Sequence, residues 1–280
     1  MNAGSADIQR AAELVAQADA LIVAAGAGMG VDSGLPDFRG TEGFWRAYPA
    51  LKAAGLAFEE VASPHTFETA PRTAWGFYGH RLRLYRETEP HAGFQVLQRW
   101  LQRPLHGGWV FTSNVDGQFQ KAGFDGGRIV EGHGSIHRLQ CTACDAEPWP
   151  ADTLQPDVDD NRCAWRGALP TCPHCGELAR PNILMFADWQ WRDHATQRHQ
   201  AALDRWLEGV QRPLVVELGA GTAIPSVRHF GHRVIHKHGG RLLRINPREA
   251  RPPTPLDIGL ALGAAAALAA IDAALGSPNA

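Results

Sequence analysis

Two Cys-x-x-Cys pairs, Cys141/Cys144 and Cys172/Cys175, oblige two tight turns to meet in space. Each pair offers two thiolates, and two such pairs close a tetrahedral site around Zn²⁺. All four coordination positions are then filled by sulfur, so the metal is expected to be structural and the chemistry must lie elsewhere. A pair of disulfides is the alternative, but it requires an oxidising compartment. The N-terminus, MNAGSADIQRAAELV, lacks the basic start and apolar run of a signal peptide. Cys163 is a fifth, unpaired cysteine and is read as a bystander. Free cysteines without an export signal predict a cytoplasmic protein.

The length of 280 residues accommodates one large domain, or one domain with a smaller insertion. With 27 basic and 29 acidic residues, the formal charge is −2. That balance gives no electrostatic reason for nucleic-acid or membrane partners. The most apolar stretch, Leu260 to Leu275, is alanine-rich and interrupted by Asp272. It reads as a buried helix rather than a membrane span.

Short apolar runs alternate with helical patterns. Leu21 to Ala25, Trp109 to Thr112, Arg128 to Glu131, Leu214 to Leu218 and Leu242 to Ile245 read as buried parallel strands, with Asp257 to Leu262 as a sixth. Helical spacing runs through Ile8, Ala11, Ala12, Val15 and Ala18, and through Gly93 to Gln102 and Ala195 to Glu208. This alternation predicts an α/β fold with a doubly wound, mostly parallel, Rossmann-like sheet. Two regions break it: residues 41–90, rich in aromatics, and residues 138–180, which carry the cysteines. Both read as insertions that form a smaller helical and zinc-ribbon domain. The sheet domain is then assigned residues 1–40, 91–137 and 181–280.

The candidate site residues fall at strand ends, where open α/β sheets bind ligands. Gly26-Ala27-Gly28 follows the first strand, and glycines there let backbone amides approach a pyrophosphate. The G-x-G-x-G spacing misses the usual dinucleotide fingerprint. A loop through Asp37, Phe38 and Arg39 reads as a lid. Asn114 and Asp116, beyond the second strand, suit a carboxamide, since Asn both donates and accepts and Asp accepts. His133, between Gly132 and Gly134, is the candidate general base. Gly219, Gly221, Thr222 and Asn246 follow two later strands and suit adenosine hydroxyls. Each of these segments also admits a plain turn reading.

In order along the chain, these motifs resemble the sirtuin family of NAD-dependent protein deacylases. Gly26 to Arg39 resembles its NAD loop. Thr112-Ser113-Asn114-Val115-Asp116 resembles its Thr-Gln-Asn-Ile-Asp segment, and Gly132-His133-Gly134 its catalytic His-Gly. Arg180 to Asp188 is similar to the strand that pairs with substrate peptide, which points to Leu184, Phe186 and Ala187. The sequence departs from the family pattern at Gly30, Ser113, Ala187-Asp188 and Ala220-Gly221. The resemblance implies NAD as co-substrate, one structural Zn²⁺ on the four paired cysteines, and acylated protein lysines as partners. It implies His133 and Asn114 as catalytic residues, with Ser113 also against the cofactor. Tyr78 and Arg81 share a helix face and resemble the Tyr-x-x-Arg pair of the branch that removes succinyl and malonyl groups. The alternatives on the same pocket are an ADP-ribosyltransferase or NAD glycohydrolase, and a non-catalytic NAD sensor.

Overall fold

The computed structural model describes residues 4–37 and 40–276; for residues 40–42 only the backbone is described. Six parallel strands form the main sheet: β1 (Ala20–Ala25), β2 (Gly108–Thr112), β3 (Ile129–Glu131), β9 (Pro213–Leu218), β10 (Arg241–Ile245) and β11 (Ile258–Leu260). Their order is β11-β10-β9-β1-β2-β3. From β1 the chain runs outward through β2 and β3, then returns to the other side of β1 and continues through β10 and β11. The strand order therefore reverses between β1 and β9, and the ends of these two strands define the crevice where such sheets bind ligands.

Successive residues of β1 point to opposite faces. Leu21, Val23 and Ala25 join the layer of α1 (Ser5–Gln17), α7 (Gly93–Leu101) and α11 (Ala264–Gly276). Ile22 and Ala24 join the layer of α9 (His194–Leu207) and α10 (Ser226–His238). Both faces are covered, so these strands read as unbroken apolar runs rather than alternating ones. The apolar C-terminal stretch is divided between β11 and α11. Its one acid, Asp272, accepts from Arg99 Nη2 at 2.6 Å and from Trp100 Nε1 at 2.8 Å. Among the described residues, no helix is long and apolar enough to cross a membrane.

A second core lies beside the sheet. The aromatic region folds into α2 (Gly40–Ala47), α3 (Pro49–Ala53), α4 (Phe58–Val61), α5 (Pro64–Thr69) and α6 (Pro71–Glu87). Phe44, Tyr48, Phe67, Trp75, Phe77 and Tyr78 are buried together there. A small antiparallel sheet of β4 (Gly134–Cys141), β5 (Trp149–Pro150) and β8 (Ala179–Ile183) packs against them, and β6 (Val158–Asp159) pairs with β7 (Ala164–Trp165). This core draws on Ile136, Leu139, Ile183 and Met185. β4 starts three residues after the end of β3, so His133 lies where the chain leaves one core for the other.

Candidate active site

The two glycine turns at the switch point press together backbone on backbone. Gly26 N donates to Leu218 O at 2.9 Å, and Gly28 N to Gly219 O at 3.1 Å. A Cβ on Gly28 would lie 2.7 Å from Gly219 Cα, and Gly219 sits at φ 60°. Close approach of the turns to each other thus explains Gly26, Gly28 and Gly219. Ala27 and Thr222 are exposed on the crevice, and a Cβ on Gly221 would meet open space. This part of the cradle admits close approach by a ligand and fits a dinucleotide.

Asn246 takes a structural part. It is fully buried, its Nδ2 donates to Ala220 O at 3.0 Å, and its Oδ1 accepts from the amides of Arg248 and Glu249. The side chain is a brace between two turns. Thr222 Oγ1 donates to Glu249 Oε1 at 3.2 Å, and Arg228 pairs with the same carboxylate at 2.9 Å. Asp37 reaches Arg248 at 3.7 Å across the crevice. Phe38 and Arg39 lie outside the described residues.

The loop after β2 is pinned to the first turn. Ser113 N donates to Ala25 O, Asn114 N to Thr112 Oγ1, and Asn114 Nδ2 to Gly26 O at 3.1 Å. Asp116 is buried and accepts from Gln118 N at 2.9 Å. Burial pushes its carboxyl up to about 6, against the opposing pull of the Gln118 amide and the Arg81 charge. Near neutral pH it therefore offers both an acceptor and, in its minor form, a donor. Glu131, which the sequence did not single out, stands close by. Burial raises it to about 7, and Gln120 and Ser135 hydrogen-bond to it. Asp116, Glu131, Tyr85, Gln120, Ser135 and His137 help line a cavity of about 420 Å³.

His133 is half-buried. Its Nε2 meets Ser226 Oγ at 3.0 Å, and its carbonyl accepts from Leu184 N at 2.9 Å. Burial holds its pKa below the ordinary histidine value, opposed only by a bond to the Ser113 backbone. The imidazole is therefore neutral at pH 7 and available as a base. The flanking glycines are needed for packing more than for access. Gly134 has φ 75°, and a Cβ there would lie 2.1 Å from Asn182 O.

Beyond β8 the chain is clamped. A buried ion pair joins Arg180 Nη1 and Asp188 Oδ2 at 2.8 Å, and Asp188 also accepts from the amides of Met185 and Gln190. Phe186 N donates to Ala62 O at 3.0 Å, which ties this segment to the helical region, while Leu184 is exposed. Ala187 has φ 52°, in the left-handed region that favours glycine. A side chain there costs roughly 1 kcal/mol. Ala187→Gly is expected to raise the unfolding free energy by about that amount, less the extra entropy glycine gives the unfolded chain. A urea melt with an unchanged or lower midpoint would count against strain at this residue.

Tyr78 and Arg81 are both buried on α6. Arg81 donates through Nε and Nη2 to the Tyr85 hydroxyl at 2.9 and 2.7 Å. Its guanidinium lies 5.2 to 5.8 Å from the ring centres of Phe77, Tyr85 and Tyr78. Burial pushes the Tyr78 phenol up to about 12, so it stays protonated. Tyr85 is the partner that the Tyr-x-x-Arg spacing alone did not reveal.

Cys141, Cys144, Cys172 and Cys175 bring their four sulfurs within 4.8 Å of one another. All four are free thiols, with Cys141 and Cys175 sulfurs 3.5 Å apart and those of Cys144 and Cys172 3.7 Å apart. The separations exceed the ~2.05 Å of a disulfide, and a converged tetrathiolate fits Zn²⁺.

A parallel α/β sheet with a switch-point crevice, a neutral histidine at its mouth and a four-thiolate module define the class. The Sir2 family model matches residues 26–204, and the chain belongs to the Sir2 family. A Thermococcus kodakarensis protein named NAD-dependent protein deacylase is 29% identical over 236 residues, covering 84% of this chain and 83% of that one. A Thermus thermophilus protein of the same name is 28% identical over 253 residues, covering 89% and 87%. A mutant Sir2 homologue in complex with 2'-O-acetyl ADP-ribose superposes with a TM-score of 0.72 at 26% identity, covering 95% of each chain. A Sir2 homologue bound to NAD shares the fold with a TM-score of 0.73 at 23% identity, covering 95% and 93%.

Proposed function

We propose that this chain is an NAD-dependent protein lysine deacylase. Acyl-lysine, NAD and water would give lysine, nicotinamide and O-acyl-ADP-ribose. The observation that carries the reading is His133: a neutral imidazole at the mouth of the crevice, beside the loop that holds Asn114 and Asp116. NAD, when bound, supplies an electrophilic ribose carbon. Gly26, Ala27, Gly28, Gly219, Gly221 and Thr222 line its cradle, and Asp37, Ser113 and Asn246 hold or brace the surrounding loops. Asn114 and Asp116 orient the carboxamide. His133 takes a proton from a ribose hydroxyl, which makes that oxygen the nucleophile for the acyl carbon. Leu184, Phe186 and Ala187 border the peptide. Phe186 N is already bonded to Ala62, so peptide pairing would use the neighbouring backbone. The near-neutral charge supports neither a nucleic acid nor a membrane as partner, and the free thiols support a cytoplasmic setting.

The acyl group is proposed to be acidic. Arg81 is buried, donates to the Tyr85 phenol and shares its helix face with Tyr78. An arginine fork beside a phenol grips a carboxylate by charge-assisted hydrogen bonds, which an acetyl methyl cannot accept. One experiment tests both levels: mass-spectrometric product analysis with acetyl-, succinyl- and malonyl-lysine peptides on wild type and Arg81→Met. Deacylated peptide with O-acyl-ADP-ribose is expected, with preference for the acidic groups. Loss of a charged hydrogen bond, ~1.5–3 kcal/mol, should lower the succinyl rate by roughly ten- to a hundredfold in Arg81→Met. Modified protein, or free ADP-ribose alone, would replace deacylation with transferase or glycohydrolase chemistry. An acetyl preference in wild type would end the acidic-acyl reading only.

A further inference from the structure

We propose that Ser226 is a positioning residue for His133, holding its Nε2 as the unprotonated nitrogen that faces the crevice. This rests on His133 being the base of the reaction proposed above. Ser226 is the first residue of α10, and its Oγ lies 3.0 Å from His133 Nε2. The Ser113 backbone also bears on the ring and favours its protonated form, as an accepting carbonyl does. For His133 to act as base at Nε2, its neutral ring must carry the proton on Nδ1, and the serine hydroxyl is then the donor at Nε2. The two contacts come from opposite sides of the switch point, one from the loop after β2 and one from the helix after β9. Together they fix both the tautomer and the rotation of the ring. When a ribose hydroxyl arrives it takes the place of the serine hydroxyl at Nε2, and its proton moves to a nitrogen already bare and aimed.

The setting leaves few other determinants. Gly132 and Ser226 border a cavity of about 420 Å³ between α9 and α10. The charged or titratable groups on its walls are Asp204 from α9 and His229 and Arg233 from α10. On the other side, Asp116 follows β2 and Glu131 ends β3. None of them contacts the imidazole as Ser226 does.

A hydrogen bond donated to the neutral ring favours the neutral form. Its removal should therefore raise the histidine pKa and release the tautomer. The test is long-range ¹H–¹⁵N NMR of His133 across a pH titration in wild type, Ser226→Ala and Ser226→Thr. Wild type and Ser226→Thr are expected to show the Nδ1–H tautomer and the same midpoint. Ser226→Ala is expected to show a mixed tautomer and a higher midpoint. Its deacylation should fall by roughly tenfold, less than the ~10²–10⁴-fold cost of losing a base outright, with NAD affinity unchanged in calorimetry. If Ser226→Ala fails to fold, Ser226→Cys, with its weak S–H donor, should titrate between wild type and free histidine. An unchanged tautomer and midpoint in whichever variant folds would overturn the inference. The NMR readout needs no turnover, so an inactive wild type with the Nδ1–H tautomer would sink the deacylase reading and leave only the Ser226–His133 hydrogen bond and tautomer standing.

Discussion

Replacing His133 with alanine is expected to abolish most deacylation while NAD still binds. Losing a positioned general base typically costs ~10²–10⁴-fold. Binding is expected to survive because the cradle is built without the histidine. The turns at Gly26 to Gly28 and Gly219 to Thr222 are held by bonds to each other, to Asn246 and to the loop of Asn114. The pH dependence follows from the same geometry. Burial favours the neutral imidazole, so its pKa is lowered and the base stays competent below the ordinary titration point of histidine. In wild type, kcat/KM should fall on the acid side only below that ordinary value, and the limb should be missing from the residual activity of His133→Ala. Calorimetry for NAD and single-turnover product analysis separate the two effects. Deacylation retained by a pure His133→Ala preparation would refute the role.

The fold was legible because parallel strands buried on both faces write themselves as short apolar runs. Leu214 to Leu218 and Leu242 to Ile245 match β9 and β10 to within a residue. The sixth run, Asp257 to Leu262, is shorter as a strand because the chain leaves the sheet after Leu260 and bends at Leu262 into α11. The site was legible as far as strand ends and local motifs reach. It was not legible where a contact joins distant segments. Ser226 is 93 positions from His133, and no local pattern links them. Asn246, expected near adenosine hydroxyls from its place after a strand, also braces two turns, and its partner Ala220 comes from another strand's turn. Tyr85 and Glu131 were missed for a similar reason, because their importance depends on which charges burial brings near them. Ala187, one of the departures from the family pattern, shows the converse. The sequence marked the departure, but only the backbone angle says what it costs.

Replacing Cys172 with serine is expected to unfold the cysteine module and take part of the second core with it. The module has little else to hold it. Its strands β6 and β7 are two residues long, and Thr171 and Leu178 meet in a single isolated bridge. Its turns rest on backbone bonds such as Cys172 N to Glu177 O at 2.7 Å and Gly176 N to Cys172 O at 2.9 Å. Cys141 ends β4, which pairs with β8, so the sulfur cluster ties these turns to the sheet that carries the residues after His133. Metal binding at such sites is worth ~10–16 kcal/mol in small zinc modules, and it acts as folding free energy because no preformed site exists in the unfolded chain. Serine offers no thiolate, and three sulfurs with a hydroxyl hold zinc poorly. Wild type should carry about one Zn²⁺ per chain by elemental analysis. Cys172→Ser should lose it, melt at a lower temperature and be less soluble, and a strong chelator should drive wild type the same way. The nearby core residues Cys163, Trp165 and Leu139 share the second cluster with Trp75 and Tyr78, so substrate binding should fail with the fold rather than with the chemistry. Wild type that resists the chelator but melts earlier in reductant would instead reveal disulfides. Equal solubility, zinc content and melting temperature for Cys172→Ser and wild type would show that the four thiolates hold nothing together.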